Sequence, residues 1–319
     1  MFGLTFLSAT SKTTTHRVVP FRMGSPFFAS VAGYAAGGFS TVYLNILDKI
    51  TFAADTKTTL SATLSNIRDL NAGFANSGVA GYSAGGGYSI ARLSSIDKVT
   101  FPADTIATLS ATLTTAREYL AGFANSGAAG YVAGGQDGAD LSAIDKISFA
   151  ADTKTTLSAA LSSARYLARG FANSGVAGYV GGGIDSALAS VIDKITFSAD
   201  TRTTLSATLT SARYGVGAFA NSGVAGYYAG GNTGATGQTN IDKVSFSADT
   251  KTTLSATLPA GRYFMAGFAN SGVAGYVAGG ETFSSIIKLA FATETVSTLS
   301  ATLTTVKTVT AGFANSGTI

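Results

Sequence analysis

Five arginines recur at near-constant spacing: Arg68, Arg117, Arg165, Arg213 and Arg262 stand 48 or 49 residues apart. Five aspartates keep the same step inside "DKITF" or a relative of it, at Asp48, Asp97, Asp145, Asp193 and Asp242, and the sixth copy carries Ile287 there. A symmetric ring of guanidinium groups could attract an anionic ligand. The same groups could instead pair with the aspartates in bridges from one unit to the next, and this reading is favoured because catalysis rarely needs one group five times over. A second set, Asp55, Asp104, Asp152, Asp200 and Asp249, lies in "ADT", where an Asp side chain suits an Asx turn between two strands.

Other reactive chemistry is sparse. His16 is the only histidine and there is no cysteine, which excludes disulfides, thiolate metal sites and Cys nucleophiles. No phosphate loop, zinc motif or His-plus-carboxylate constellation occurs. Asp137 and Asp140 in "QDGAD" are too few for a calcium loop. A glycosidase needs only two carboxylates, which keeps a carbohydrate-active protein as the alternative. The expectation is a non-enzymatic protein with no catalytic residue, no metal and no cofactor.

These residues must be positioned by a repeated scaffold. "GFANSGVAGYVAGG" at 267–280 recurs almost unchanged at 73–86, 122–135, 170–183 and 218–231. Each unit of about 48 residues contains four short strand-like runs: A around "AGFANS", B "GYVAGG", C "DKITF" and D "TTLSATL". Lys49, Ile50, Thr51 and Phe52 alternate polar and apolar, as a half-buried strand does. Turn chemistry separates A from B ("NSG") and C from D ("ADTK"), with Asn76 and its equivalents expected to take the left-handed turn position. The paired glycines Gly37–Gly38, Gly85–Gly86, Gly134–Gly135, Gly182–Gly183, Gly230–Gly231 and Gly279–Gly280 are read as positive-φ or close-approach positions. Four strands leave no room for a helix, and a unit this small must stack on its neighbours. The fold expected is an all-β propeller.

An Arg before strand A, a Gly-Tyr opening strand B, a double Gly closing it and a Thr-rich strand D together resemble the kelch repeat. The resemblance covers residues ~20–319 and implies four-stranded propeller blades. The chain departs from it in having no Trp; Leu60, Leu109, Leu157, Leu205, Leu254 and Leu299 stand in the comparable place. The copper oxidases built on such propellers use Cys and His ligands that this sequence cannot supply. Near-identical copies also resemble phage-encoded repeat proteins. The whole of 1–319 reads as one propeller domain, with six repeats over 25–310. "SPFFAS" and the run 311–316 both look like strand A, so seven blades are expected, with six as the alternative. In that scheme residues 1–24 and 311–319 complete the closing blade from the two ends.

Composition limits the partners. Charged residues are 12%, the formal charge is +4, and no polybasic run occurs, so no nucleic-acid partner is expected. No apolar stretch reaches the ~20 residues of a membrane-spanning helix, and the first residues do not read as a signal peptide, so no membrane insertion is expected. In an antiparallel blade the A–B and C–D turns share one face, and here they are monotonous. The opposite face holds the variable B–C loops, with Tyr43, Tyr88, Arg92, Asp137, Asp140, Asp185 and Phe283, and the D–A connections, with Tyr166, Tyr214 and Tyr263. Variable loops on a rigid scaffold are where recognition is usually placed. The expected function is a structural or binding propeller recognising a protein or glycan there, with a phage virion component (fibre, decoration or adhesion protein) as the setting. The alternative is a lectin-like or carbohydrate-active kelch protein.

Overall fold

The computed structural model describes residues 31–308 and 311–315, and these form six four-stranded antiparallel sheets with no helix. Blade 2 shows the pattern: strand A Ala72–Asn76, B Ala80–Ala84, C Ile96–Thr100 and D Thr105–Thr108, in that order from the inside outward. Blades 3 to 6 repeat it, with inner strands Ala121–Asn125, Arg169–Asn173, Gly217–Asn221 and Ala266–Asn270. In blade 1 strands B to D are Ala32–Ala36, Leu47–Thr51 and Thr56–Thr59, and the inner strand is Ala311–Ala314 from the other end of the chain.

Burial follows strand position. Strand B of blade 3, "AGYVA", is buried at every residue, because other blades cover both of its faces. Strand D of blade 1, "TKTT", is largely exposed, as an outer edge should be, and Lys57 sits on it. Strand D is shorter than "TTLSATL" predicts. In all but blade 6 the outer strand ends after three or four residues, and the second Leu of the run, such as Leu64 or Leu113, becomes buried.

The repeated residues mostly join one blade to the next. Phe123 lies opposite Tyr131 with the rings parallel at 5.1 Å, and Phe197 of the following blade stacks on Tyr131 at 5.1 Å. A Cβ on Gly178 would come within 2.1 Å of Phe123, so the Gly of "GY" is the space that the preceding Phe occupies. The "ADT" aspartates have positive φ, as their turn requires, and they also reach across the blade interface. Asp200 accepts from Tyr131 Oη at 3.2 Å and from Lys146 Nζ at 2.6 Å. The Asn of "NSG" does likewise: Asn125 Oδ1 accepts from the Gly175 N–H at 2.9 Å. The left-handed conformation expected for that Asn belongs instead to the following glycine, such as Gly127 at φ 82°, because only Gly adopts it without a Cβ penalty.

The arginines pair with aspartates. Arg68–Asp97, Arg117–Asp145, Arg165–Asp193 and Arg213–Asp242 are 2.9–3.2 Å apart and buried. At the join of blades 6 and 1 Lys307 replaces Arg and meets Asp48 at 3.1 Å. Burial pushes the Asp48 carboxyl up, but the Lys307 charge and bonds from Thr304 and Thr59 outweigh it and leave it below the usual range. The double glycines dock here too: both have positive φ, and the Gly38 N–H donates to the Arg68 carbonyl at 2.8 Å.

The ring has six blades among the described residues, not seven. The strand Ala311–Ala314 pairs with Ala32–Ala36, placing Tyr34 opposite Phe313. It also packs against the inner strands of blades 2 and 6, which closes the circle without a gap. The inner place beside Ala32–Ala36 is thus filled by the strand Ala311–Ala314, and "SPFFAS", expected as a further strand A, lies outside the described residues. Residues 1–24, expected to complete a closing blade, lie outside the described residues.

Candidate functional site

The variable-loop face is built on the connections that enter the inner strands. Two residues after the repeated Arg, the chain takes a left-handed turn: Leu70 (φ 58°), Tyr119 (62°), Leu167 (57°), Gly215 (63°) and Phe264 (59°). These residues form a chain of backbone hydrogen bonds around the axis. Tyr119 N–H donates to Leu70 O at 2.8 Å, Leu167 to Tyr119 at 3.0 Å, Gly215 to Leu167 at 3.1 Å and Phe264 to Gly215 at 2.7 Å. Non-glycine residues rarely adopt this conformation unless the surroundings fix it, and here the neighbouring blades do. One residue earlier, in blades 2 to 5, the backbone ties the connection to the start of its B–C loop, as in Tyr166 with Ile184 and Tyr214 with Asn232.

This framework gathers aromatic rings. Leu70 and Leu167 are buried beneath Tyr119, Tyr166, Tyr214 and Phe264, which pack on them while remaining half-exposed. Tyr119 and Tyr166 meet edge to face at 5.5 Å, and Tyr214 touches both Tyr263 at 6.1 Å and Phe264 at 5.7 Å. On the opposite side Tyr43 packs on Phe39 at 4.9 Å and approaches Tyr88 at 6.5 Å. Between blades 6 and 1 lies a recess of about 410 Å³ lined by Phe39, Ser40, Thr41, Glu281, Val306 and Thr308. The Tyr263 hydroxyl donates to Glu281, and that bond, more than burial, raises the phenol to about 12.

The other flank is acidic. Arg92 Nε donates to Glu118 at 3.1 Å. Burial raises Glu118 above the usual glutamate range, with Arg92 opposing the shift. Asp69 is pushed up to about 7, by burial first and by the Glu118 charge second. An unfolded Asp ionises near pH 4, so folding takes up a proton between about pH 4 and pH 7, and stability falls as pH rises through that window. The melting temperature is expected to drop from pH 5 to pH 8, and Asp69→Asn to flatten that profile by removing about 2–4 kcal/mol of pH dependence. An identical profile in the variant would show that Asp69 is not the titrating group.

The candidate residues divide. Tyr166, Tyr214 and Tyr263 lie on one continuous aromatic surface with Tyr119 and Phe264; Tyr43 and Tyr88 form a second cluster; Arg92 is engaged by Glu118. Three aspartates serve their own loops. Asp137 accepts from the Ala139 N–H, Asp185 from Ala187, and Asp140 from Gln136 Nε2 at 3.0 Å. Phe283 is a blade contact: the Arg262 guanidinium lies over its ring at 4.0 Å, because Ile287 stands where an Asp would otherwise take that charge. Sequence reasoning passed over Glu118, Phe264 and Glu281. Counting positions from the repeated Arg would have found the first two, since Glu118 is the equivalent of Tyr166, and Phe264 that of Tyr119. No protein-family model matches the chain, and no curated protein matches it either.

Proposed function

We propose that this protein is a non-enzymatic, kelch-like binding propeller that takes a carbohydrate on its variable-loop face. The observation that carries this reading is the company its aromatic rings keep. Phe39 and Val306 give an apolar wall, and Ser40, Thr41, Thr308 and Glu281 supply hydroxyl and carboxylate partners in one recess of about 410 Å³. Tyr214, Tyr263 and Phe264 form an aromatic surface on the same face. Small-ligand sites combine such a concave apolar surface with a few fixed polar groups, and rings with a wet edge suit the alternating apolar and hydroxyl faces of a sugar. Display on a phage particle as an adhesion or decoration protein belongs to the same proposal, supported by the near-identical repeats.

Glycan-array binding of the full chain tests it. Replacing Tyr166, Tyr214 and Tyr263 together with Ala is expected to weaken binding by 2 kcal/mol or more, roughly thirtyfold, while the fold survives. Asn173 and Asn221 accept from the Gly223 and Gly272 N–H groups, both at 2.9 Å, on the opposite face. Their replacement with Ala is expected to cost about 1 kcal/mol of stability each and leave binding by the folded protein intact. Binding that survives loss of the Tyr set and disappears with the Asn set in folded protein would place the ligand on the other face. An array with no glycan bound would overturn the carbohydrate reading.

A further inference from the structure

The inner strands place one small residue each around the axis: Gly73, Gly122, Gly170, Ala218, Gly267 and Gly312. These surround a cavity of about 20 Å³, enough for one small solvent-sized species. Every inner strand is the edge of its sheet, so its unpaired backbone N–H and C=O groups face this axis. The wall is uncharged with one exception. Arg169 opens the inner strand of blade 4, where the other blades have Ala72, Ala121, Gly217, Ala266 and Ala311.

Arg169 differs from the repeated arginines. It is 9% exposed and pairs with no carboxylate among the described residues. Its Nη1 donates to the Leu120 and Ala168 carbonyls at 3.1 and 3.2 Å, and its Nη2 has no hydrogen-bond partner among the described residues. Burial lowers it to about 10, so it stays charged at neutral pH. An isolated buried charge is costly unless a counter-charge reaches it. Asn71, also in the wall, donates from Nδ2 to Ser83 Oγ at 2.7 Å, and its Oδ1 has no partner there. A half-turn of that amide keeps the Ser83 bond, with the hydroxyl donating, and turns Nδ2 away as a free donor.

We propose that the axial cavity binds one small monovalent anion of halide size, held by the Arg169 guanidinium and the Asn71 amide. The charge decides between an anion and water. A water molecule would satisfy the hydrogen bonds but leave the guanidinium uncompensated, whereas a halide accepts from both side chains and neutralises it.

The test uses bromide and the full chain. Crystals grown in sodium bromide should show an anomalous peak on the axis within hydrogen-bond distance of Arg169. The melting temperature should rise by about 3–6 °C, and saturate, as bromide replaces a bulky organic anion at constant ionic strength. Arg169→Ala, which copies the residue of four other blades, should lose both signals; Arg169→Met serves if the Ala variant does not fold. An axis without anomalous density, a peak unchanged in the variant, or a melting shift equal in both proteins would each overturn the proposal.

Discussion

Deleting residues 311–319 is expected to abolish cooperative folding of the whole chain. That segment supplies the inner strand of blade 1, whose residues Ala311, Phe313 and Ala314 are at most 1% exposed. Phe313 stacks on Tyr34 at 5.3 Å and fills the space above Gly81, where a Cβ would come within 2.1 Å of its ring. Phe313→Ala alone should cost about 3–5 kcal/mol through the cavity it leaves. Full deletion also removes the hydrogen bonds to Ala32–Ala36 and the packing against the inner strands of blades 2 and 6. Together these losses approach the roughly 5–15 kcal/mol that holds an ordinary domain folded. Far-UV circular dichroism on heating and size-exclusion chromatography provide the readout. A truncated chain that melts at the full-length temperature would show that the ring does not depend on this strand.

The buried ion pairs should give the next largest effect, and one that changes between blades. Asp193 is fully buried and takes bonds from Arg165 and from the Ser162 N–H and hydroxyl, each at 2.9 Å, and from Thr204 at 2.7 Å. Asp193→Ala leaves the Arg165 guanidinium buried without a counter-charge, which typically costs about 3–5 kcal/mol. Arg262 has the same place in its blade but meets no carboxylate among the described residues; Phe283 lies under its guanidinium and the Ser285 hydroxyl accepts from it at 3.1 Å. Arg262→Leu should therefore lie within about 1 kcal/mol of the parent protein, since it removes a buried charge along with its contacts. Chemical denaturation of the two variants side by side measures the difference. Equal losses would mean that the arginines act through packing rather than through charge.

The local structure was legible because the repeat states it six times. The period-two alternation in "DKITF" marks strand C, and the order of "NSG" and "ADTK" correctly assigns the two faces. The Arg–Asp bridge followed from the equal spacing of both sets. Blade number did not follow, because it is decided by how the inner strands pack around the axis. "SPFFAS" resembles strand A locally, yet the place beside Ala32–Ala36 goes to Ala311–Ala314. The face itself was predicted, but its membership was less clear. Tyr119 reads by eye as the counterpart of Tyr166, yet counting from its Arg places it one position further on, in the inner turn. The loop aspartates looked available from composition alone, and short loops use such side chains to cap their own backbone.

The axial glycines also bear on how such a gene can change. A Cβ on Gly73 would come within 2.2 Å of the Gly312 carbonyl, and one on Gly122 within 2.3 Å of the Gly73 carbonyl. At the level of these residues the inner strands therefore meet backbone to backbone around the small axial cavity at the hub, at a spacing suited to six neighbours. Nearly identical coding segments favour unequal exchange, which adds or removes whole units. Each added unit would keep every contact between adjacent blades, since those contacts repeat. It would also widen the hub, separating backbones that now touch. Copy number is thus policed at the centre of the ring, and a lineage that gained a blade would need bulkier side chains at these six positions to refill it.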